Sequence, residues 1–151
     1  MRALIQRVKK GSVEVDNRVV SNINQGIVLF IGIENSDDEN DINWITQKVS
    51  QLRIFDDEKK IMNKSLIDID GEILIISQFT LHALTKKGNR PSYIKAAKSE
   101  YAINIYNDFL KEISKKLNKT PKAGIFGADM LVKIENDGPV TIFMDSKNKS
   151  I

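Results

Sequence analysis

The chain has 151 residues, 41% of them apolar and none a cysteine, with 23 basic and 20 acidic side chains for a formal charge of +3. That length suits one domain with a real core, and the missing thiols exclude disulfides and thiol chemistry; with a single histidine, a metal would have little to bind beyond scattered carboxylates. No apolar run reaches the roughly 18 residues of a membrane span, and charge returns too early in Met1–Arg7 for a signal peptide, so a cytoplasmic protein, mature from its first residue, is expected.

Ala3–Val8, Ser12–Val15 and Val19–Asn22 are short β-rich segments, and Asp16-Asn17 supplies a hairpin turn between the second and third. Gly26–Ile33 is an unbroken apolar run, which predicts a strand buried on both faces. Ser36 and Glu39 have the spacing of a capping box and open a helix to about Gln51, with Ile42, Ile45, Val49 and Leu52 as its buried stripe. Trp44 lies off that stripe and reads as a partly exposed packing residue. Leu52–Phe55 and Glu72–Leu81 read as further strands. A second helix runs from about Ser99 to Asn118 on Ala102, Ile105, Phe109, Ile113 and Leu117, and Lys115, Lys116 and Lys119 at its end suit the helix dipole. Met130–Glu135 and Val140–Met144 close the chain as two strands. Many strands with two inserted helices predict one α/β (α+β) domain over residues 1–151, built mainly on antiparallel sheet.

The common catalytic signatures are missing: there is no P-loop, GxGxxG, GxSxG or HExxH. Thr80 and His82 are two apart on an expected strand, which would point both side chains to one face as a conceivable nucleophile and base. The plainer alternative makes Thr80 an ordinary β-branched strand residue and places His82 at a sheet edge. Asn136-Asp137-Gly138-Pro139 reads most simply as a hairpin turn, although proline removes an amide donor where the next strand begins. Lys86-Lys87-Gly88-Asn89-Arg90-Pro91 is a basic loop that is either solvated or in contact with phosphate.

Taken together, Ser77-Gln78-Phe79-Thr80-Leu81 and Asn136-Asp137-Gly138-Pro139-Val140-Thr141 resemble the two signature segments of D-aminoacyl-tRNA deacylases. Ile5-Gln6-Arg7-Val8, Arg53-Ile54-Phe55, Lys87-Gly88-Asn89-Arg90-Pro91 and Phe126-Gly127-Ala128-Asp129-Met130 match in the family's order, over nearly the whole chain. The resemblance implies curved, mainly antiparallel, barrel-like sheets flanked by two main helices. It also implies a homodimer in which each subunit lends a cis Gly138-Pro139 step to the other's site, whose carbonyls meet the substrate's amino group. The side chain of an L-residue would collide there, whereas a D-residue would fit and glycine would pass in part. Arg7 matches the residue that steadies this step, and Phe126 and Met130 match the pocket of the terminal adenine. Ser77, Gln78, Phe79 and Thr80 match the strand end that holds the ester and its water, and Lys87 and Arg90 belong to the matching basic loop.

In that reading Thr80 positions more than it attacks, the ribose 2′-hydroxyl assists water, and neither metal nor organic cofactor takes part. His82 departs from the family, where tyrosine, phenylalanine or alanine is common, which argues against an obligatory base. The partner is the aminoacylated 3′ end of tRNA, and the role is proofreading of chirality in translation. Two rivals remain at this point: a non-enzymatic nucleic-acid-binding dimer, and a threonine-nucleophile hydrolase of small esters or peptides.

Overall fold

The computed structural model describes residues 1–151. β1 (Arg2–Val15) alternates inward and outward side chains, so Ala3, Ile5 and Val13 are fully buried between half-exposed neighbours. The two short strands expected before Asp16 are this one strand, carried through Lys9 and Lys10. Asp16 and Asn17 both take positive φ (49° and 60°), the backbone of the expected tight turn, and hand over to β2 (Arg18–Ile23). β3 (Gly26–Gly32) is the doubly buried apolar strand, antiparallel to the first half of β1.

Helix α1 (Glu39–Gln51) starts later than the Ser36–Glu39 spacing suggests. Asp38 is the cap: its carboxylate accepts from the amides of Asn40 and Asp41, and Asp41 returns a bond to the amide of Asp38 at 2.9 Å. The reciprocal pair with Asp41 sets Asp38 as the cap, and its carboxylate faces the positive end of the helix dipole. Ile42, Ile45 and Val49 are buried, Leu52 caps the far end and Trp44 is half-exposed. β4 (Phe55–Asp56) and β5 (Met62–Lys64) form a small separate sheet, so Leu52–Ile54 are not strand as expected.

β6 (Glu72–Ser77) runs parallel to β3. It stops at Ser77, four residues before the expected end: the Gln78 amide makes the last bond to the Ile31 carbonyl at 2.7 Å, and a 3₁₀ turn follows over Phe79–His82. Gly32 makes room for the turn, since a β-carbon there would lie 3.0 Å from Gln78 O, Leu81 Cβ and His82 Cδ2. Helix α2 (Ser99–Leu117) buries Ala102, Tyr106, Phe109 and Ile113, and Asn118 ends it in the left-handed region. β7 (Lys122–Ala123) is parallel to β6.

The last element corrects the expected hairpin. β8 (Leu131–Asp145) is one strand, antiparallel to β1 along its length, and Gly138-Pro139 lies inside it. Gln6 pairs with Thr141 and Val8 with Asn136, so Arg7 alone faces Asp137–Val140. The prolyl segment is thus a wide bulge rather than a turn, which removes the conflict between proline and the ladder.

The main sheet runs β2-β1-β3-β6-β7, with β8 on the other side of β1; three pairings are antiparallel and two parallel. It curves nearly into a barrel around Val8, Val13, Ile23, Val28, Leu74 and Ile76, while α1 and α2 cover the larger core. In that larger core the α-ammonium of Met1 is buried against Asp37 and donates to Ser146 Oγ at 2.8 Å. No helix is long and apolar enough to cross a membrane.

Candidate active site

The parallel strands β3 and β6 end side by side, where connections must diverge and open a crevice. The cleft there has a volume of about 610 Å³. Ser77, Gln78, Phe126 and Met130 line it, with the exposed Phe79 and Tyr93 at its mouth and Lys98 and Ser99 on its rim. Gln78 Nε2 donates to Thr80 Oγ1 at 2.5 Å, which fixes the threonine within the 3₁₀ turn. Phe126 is braced from behind: Tyr106 packs on it at 5.5 Å between ring centroids and donates its hydroxyl to the Ile75 carbonyl at 3.0 Å. Burial pushes the Tyr106 phenol well above its ordinary range, so that hydroxyl stays a donor.

Thr80 and His82 do not share a strand face, because the strand has already become a 3₁₀ turn. His82 is 1% exposed, lies outside the cleft walls and not at a sheet edge, and neither ring nitrogen has a hydrogen-bond partner. Its burial lowers the imidazole pKa and keeps the ring neutral. No carboxylate pairs with it, so it lacks the second half of a base relay. No three His, Asp or Glu side chains gather closely enough to hold a metal ion.

Arg7 and the Gly138-Pro139 step form a second group, away from their own chain's cleft. Arg7 is buried; its Nε donates to the Asp137 carbonyl at 3.0 Å and its Nη1 to the Ile54 carbonyl at 2.7 Å. The Asp56 and Asp137 carboxylates, each at 3.4 Å, balance its charge. Gly138 has φ +121°, a region closed to side chains, and a β-carbon there would meet Arg7 Nη2 at 3.1 Å. The Gly138-Pro139 peptide is cis, and both residues are exposed. Lys87 and Arg90 are also exposed, on the loop that leads into the cleft rim. Among the cleft residues, Tyr93, Lys98 and Asp129 were not singled out from sequence as site residues, and only the closeness of Tyr93 and Lys98 to the basic loop in the chain pointed to a role.

A mixed, nearly closed sheet flanked by two helices, with a cleft at its strand ends and a bulge carrying Gly138-Pro139, defines the fold class. The family model for D-Tyr-tRNA(Tyr) deacylase matches residues 4–145. The D-aminoacyl-tRNA deacylase of Flavobacterium psychrophilum is 54% identical over 149 residues, 99% of either chain. Two solved structures share the fold. The c-Myc DNA Unwinding Element Binding Protein superposes with a TM-score of 0.91 at 40% identity, over 96% of this chain and 98% of that one. A probable eukaryotic D-amino acid tRNA deacylase does so at 0.79 and 18% identity, over 95% and 97%. The chain belongs to the D-Tyr-tRNA(Tyr) deacylase family and is an enzyme of that family.

Proposed function

We propose that the chain hydrolyses the ester of D-aminoacyl-tRNA to free D-amino acid and tRNA, and that it spares L-aminoacyl-tRNA through a site completed by a second copy. The family match carries the reaction. The carrying observation for the shared site is that Gly138 and Pro139 stand exposed on a bulge braced by Arg7, yet line no part of their own cleft.

In this reading Phe126 and Met130 take the terminal adenine, and Ser77, Gln78, Phe79 and Thr80 hold the ester. Water attacks the ester carbonyl carbon; the bond to the ribose oxygen breaks, and that oxygen leaves with a proton. An ester is activated enough for orientation and donors toward the oxyanion to suffice, with the neighbouring 2′-hydroxyl assisting. The partner's Gly-Pro carbonyls accept from the substrate's ammonium and fix its Cα substituents, so an L side chain would meet backbone while hydrogen would not. Glycyl-tRNA is then a partial substrate. Lys87 and Arg90 meet phosphate.

The deciding experiment incubates pure protein with matched D- and L-tyrosyl-tRNA and follows free amino acid. Release from the D-ester alone is expected. Protection of both esters would favour the plain RNA binder, and covalent capture of Thr80 the nucleophile mechanism.

A further inference from the structure

From Ile73 to Ser99 the chain contains no acidic residue, but it carries Lys86, Lys87, Arg90, Lys95 and Lys98. All five are exposed, and none makes an ion pair. The lysines of α2 behave differently: Lys111, Lys115 and Lys116 each sit on a carboxylate of their own helix. The segment is also built as an arm. Leu84 and Ser92 exchange two backbone bonds of 2.8 and 3.0 Å, which pinch off Thr85–Pro91 as a loop. Its root is tied to the end of β3, where the Ala97 amide donates to the Ile33 carbonyl at 2.9 Å. At the base Tyr93, 39% exposed, packs edge-on against Phe79 at 5.0 Å, and both rings line the cleft mouth.

Unneutralised cations beside an exposed aromatic ring are what a single-stranded nucleic acid needs, since phosphates take the charges and a base takes the ring. A carboxylate-rich protein surface would use the cations and leave Tyr93 without a purpose. We propose that Leu84–Lys98 is a second RNA subsite, which holds the nucleotides preceding the terminal adenosine: Lys86, Lys87 and Arg90 on their phosphates, Tyr93 under a base. This rests on the cleft's taking that adenosine and extends it outward along the strand. The arm would supply affinity common to all tRNAs, and leave chirality to the cleft.

The test measures binding of an uncharged acceptor-stem RNA with its single-stranded 3′ end, by fluorescence anisotropy across 50–200 mM KCl. Each single-strand phosphate contact contributes about 0.7 to the slope of log Kd against log salt. Replacing Lys86, Lys87 and Arg90 together by alanine is expected to flatten that slope by about 2 and weaken binding at least tenfold at 100 mM. Tyr93→Ala is expected to weaken it by about tenfold, with Tyr93→Phe restoring most of the loss. An unchanged slope in the triple variant, or tighter binding of polyglutamate than of RNA, would overturn the proposal. Hydrolysis of the D-tyrosyl ester of adenosine alone separates the two readings. If wild-type protein leaves that ester intact while RNA binding still depends on the arm, the cleft assignment falls and the arm stands.

Discussion

Arg7 is a buried cation held mostly by carbonyls, and that choice of partner has consequences for the bulge it faces. Its guanidinium reaches Asp137 O and Ile54 O at once, so it ties β8 to the segment after α1. A single ammonium cannot span both sites in the same geometry. Arg7→Met, which keeps the stem, leaves both carbonyls short of a charged donor. It should cost about 3 kcal/mol at 1.5–3 kcal/mol per charge-assisted bond, or roughly 6–12 °C in Tm for a chain of this size. Calorimetry checks the stability loss. Parallel assays on D- and L-tyrosyl-tRNA check that discrimination falls more than it does in a core variant of equal Tm, and Arg7→Lys should restore only part of either. His82 makes the opposite forecast. Because its folded pKa lies below the unfolded value of about 6.5, the native state binds fewer protons, so stability is complete above that pH and falls as pH drops below it. His82→Phe should remove this component while retaining deacylation within a few-fold. Wild-type and variant unfolding curves between pH 7 and pH 5 test the first part; a turnover loss of several orders of magnitude would restore the base.

At the scale of elements, α1 is held by charge as well as by its apolar stripe. Burial pushes the Asp41 carboxyl up, but hydrogen bonds from Lys147, Ser146 and the Asp38 amide outweigh that and hold it at about 2. A carboxyl depressed from its ordinary value stabilises the fold above about pH 3.8, and that share disappears as pH falls toward 2. Asp41→Asn should therefore cost about 2 kcal/mol at neutral pH and little at pH 2, which denaturant titrations at the two values would show. The same helix shows what sequence can deliver. Hydrophobic spacing located both helices and their buried faces, because periodicity is a local property of the chain. Their starts and the strand ends were less legible. Asp38 won over Ser36 through a carboxylate pair, and β6 stopped at Ser77 because a 3₁₀ turn packs over Gly32 on a neighbouring strand. Neither cause lies within the segment itself. Gly138-Pro139 misled for a related reason: a glycine and a proline beside Asn-Asp mark a turn locally, and only a 14-residue partner strand makes the same residues a bulge. The proposed site residues became visible through family resemblance, since the sequence carries no reactive-triad signature.

For the molecule as a whole, the question is what covers the outer face of the sheet beside that bulge. Leu4 of β1 pairs with Phe30 of β3 on one side and Phe143 of β8 on the other, so the three side chains form a row across one face. None is buried, and Phe143 is 37% exposed. Gln6 and Thr141 continue the face directly to the Gly138-Pro139 bulge. An apolar row that leads into an exposed bulge has the make-up of an interface core with its specific element at the edge. A second copy related by a two-fold axis would cover the row and carry each bulge toward the other's cleft, which joins the association to the proposed chemistry. Phe143→Lys places a charge in that row, at its β8 end, at little cost to a free monomer, where the position already meets water. Sedimentation at micromolar concentration should show a dimer for the wild type and a folded monomer of unchanged circular dichroism for the variant. Hydrolysis of D-tyrosyl-tRNA should fall at least a hundredfold in that monomer, although the substitution touches no residue of the cleft. A fully active monomer would mean that each chain completes its own site, and Gly138-Pro139 would then need another explanation for its exposure.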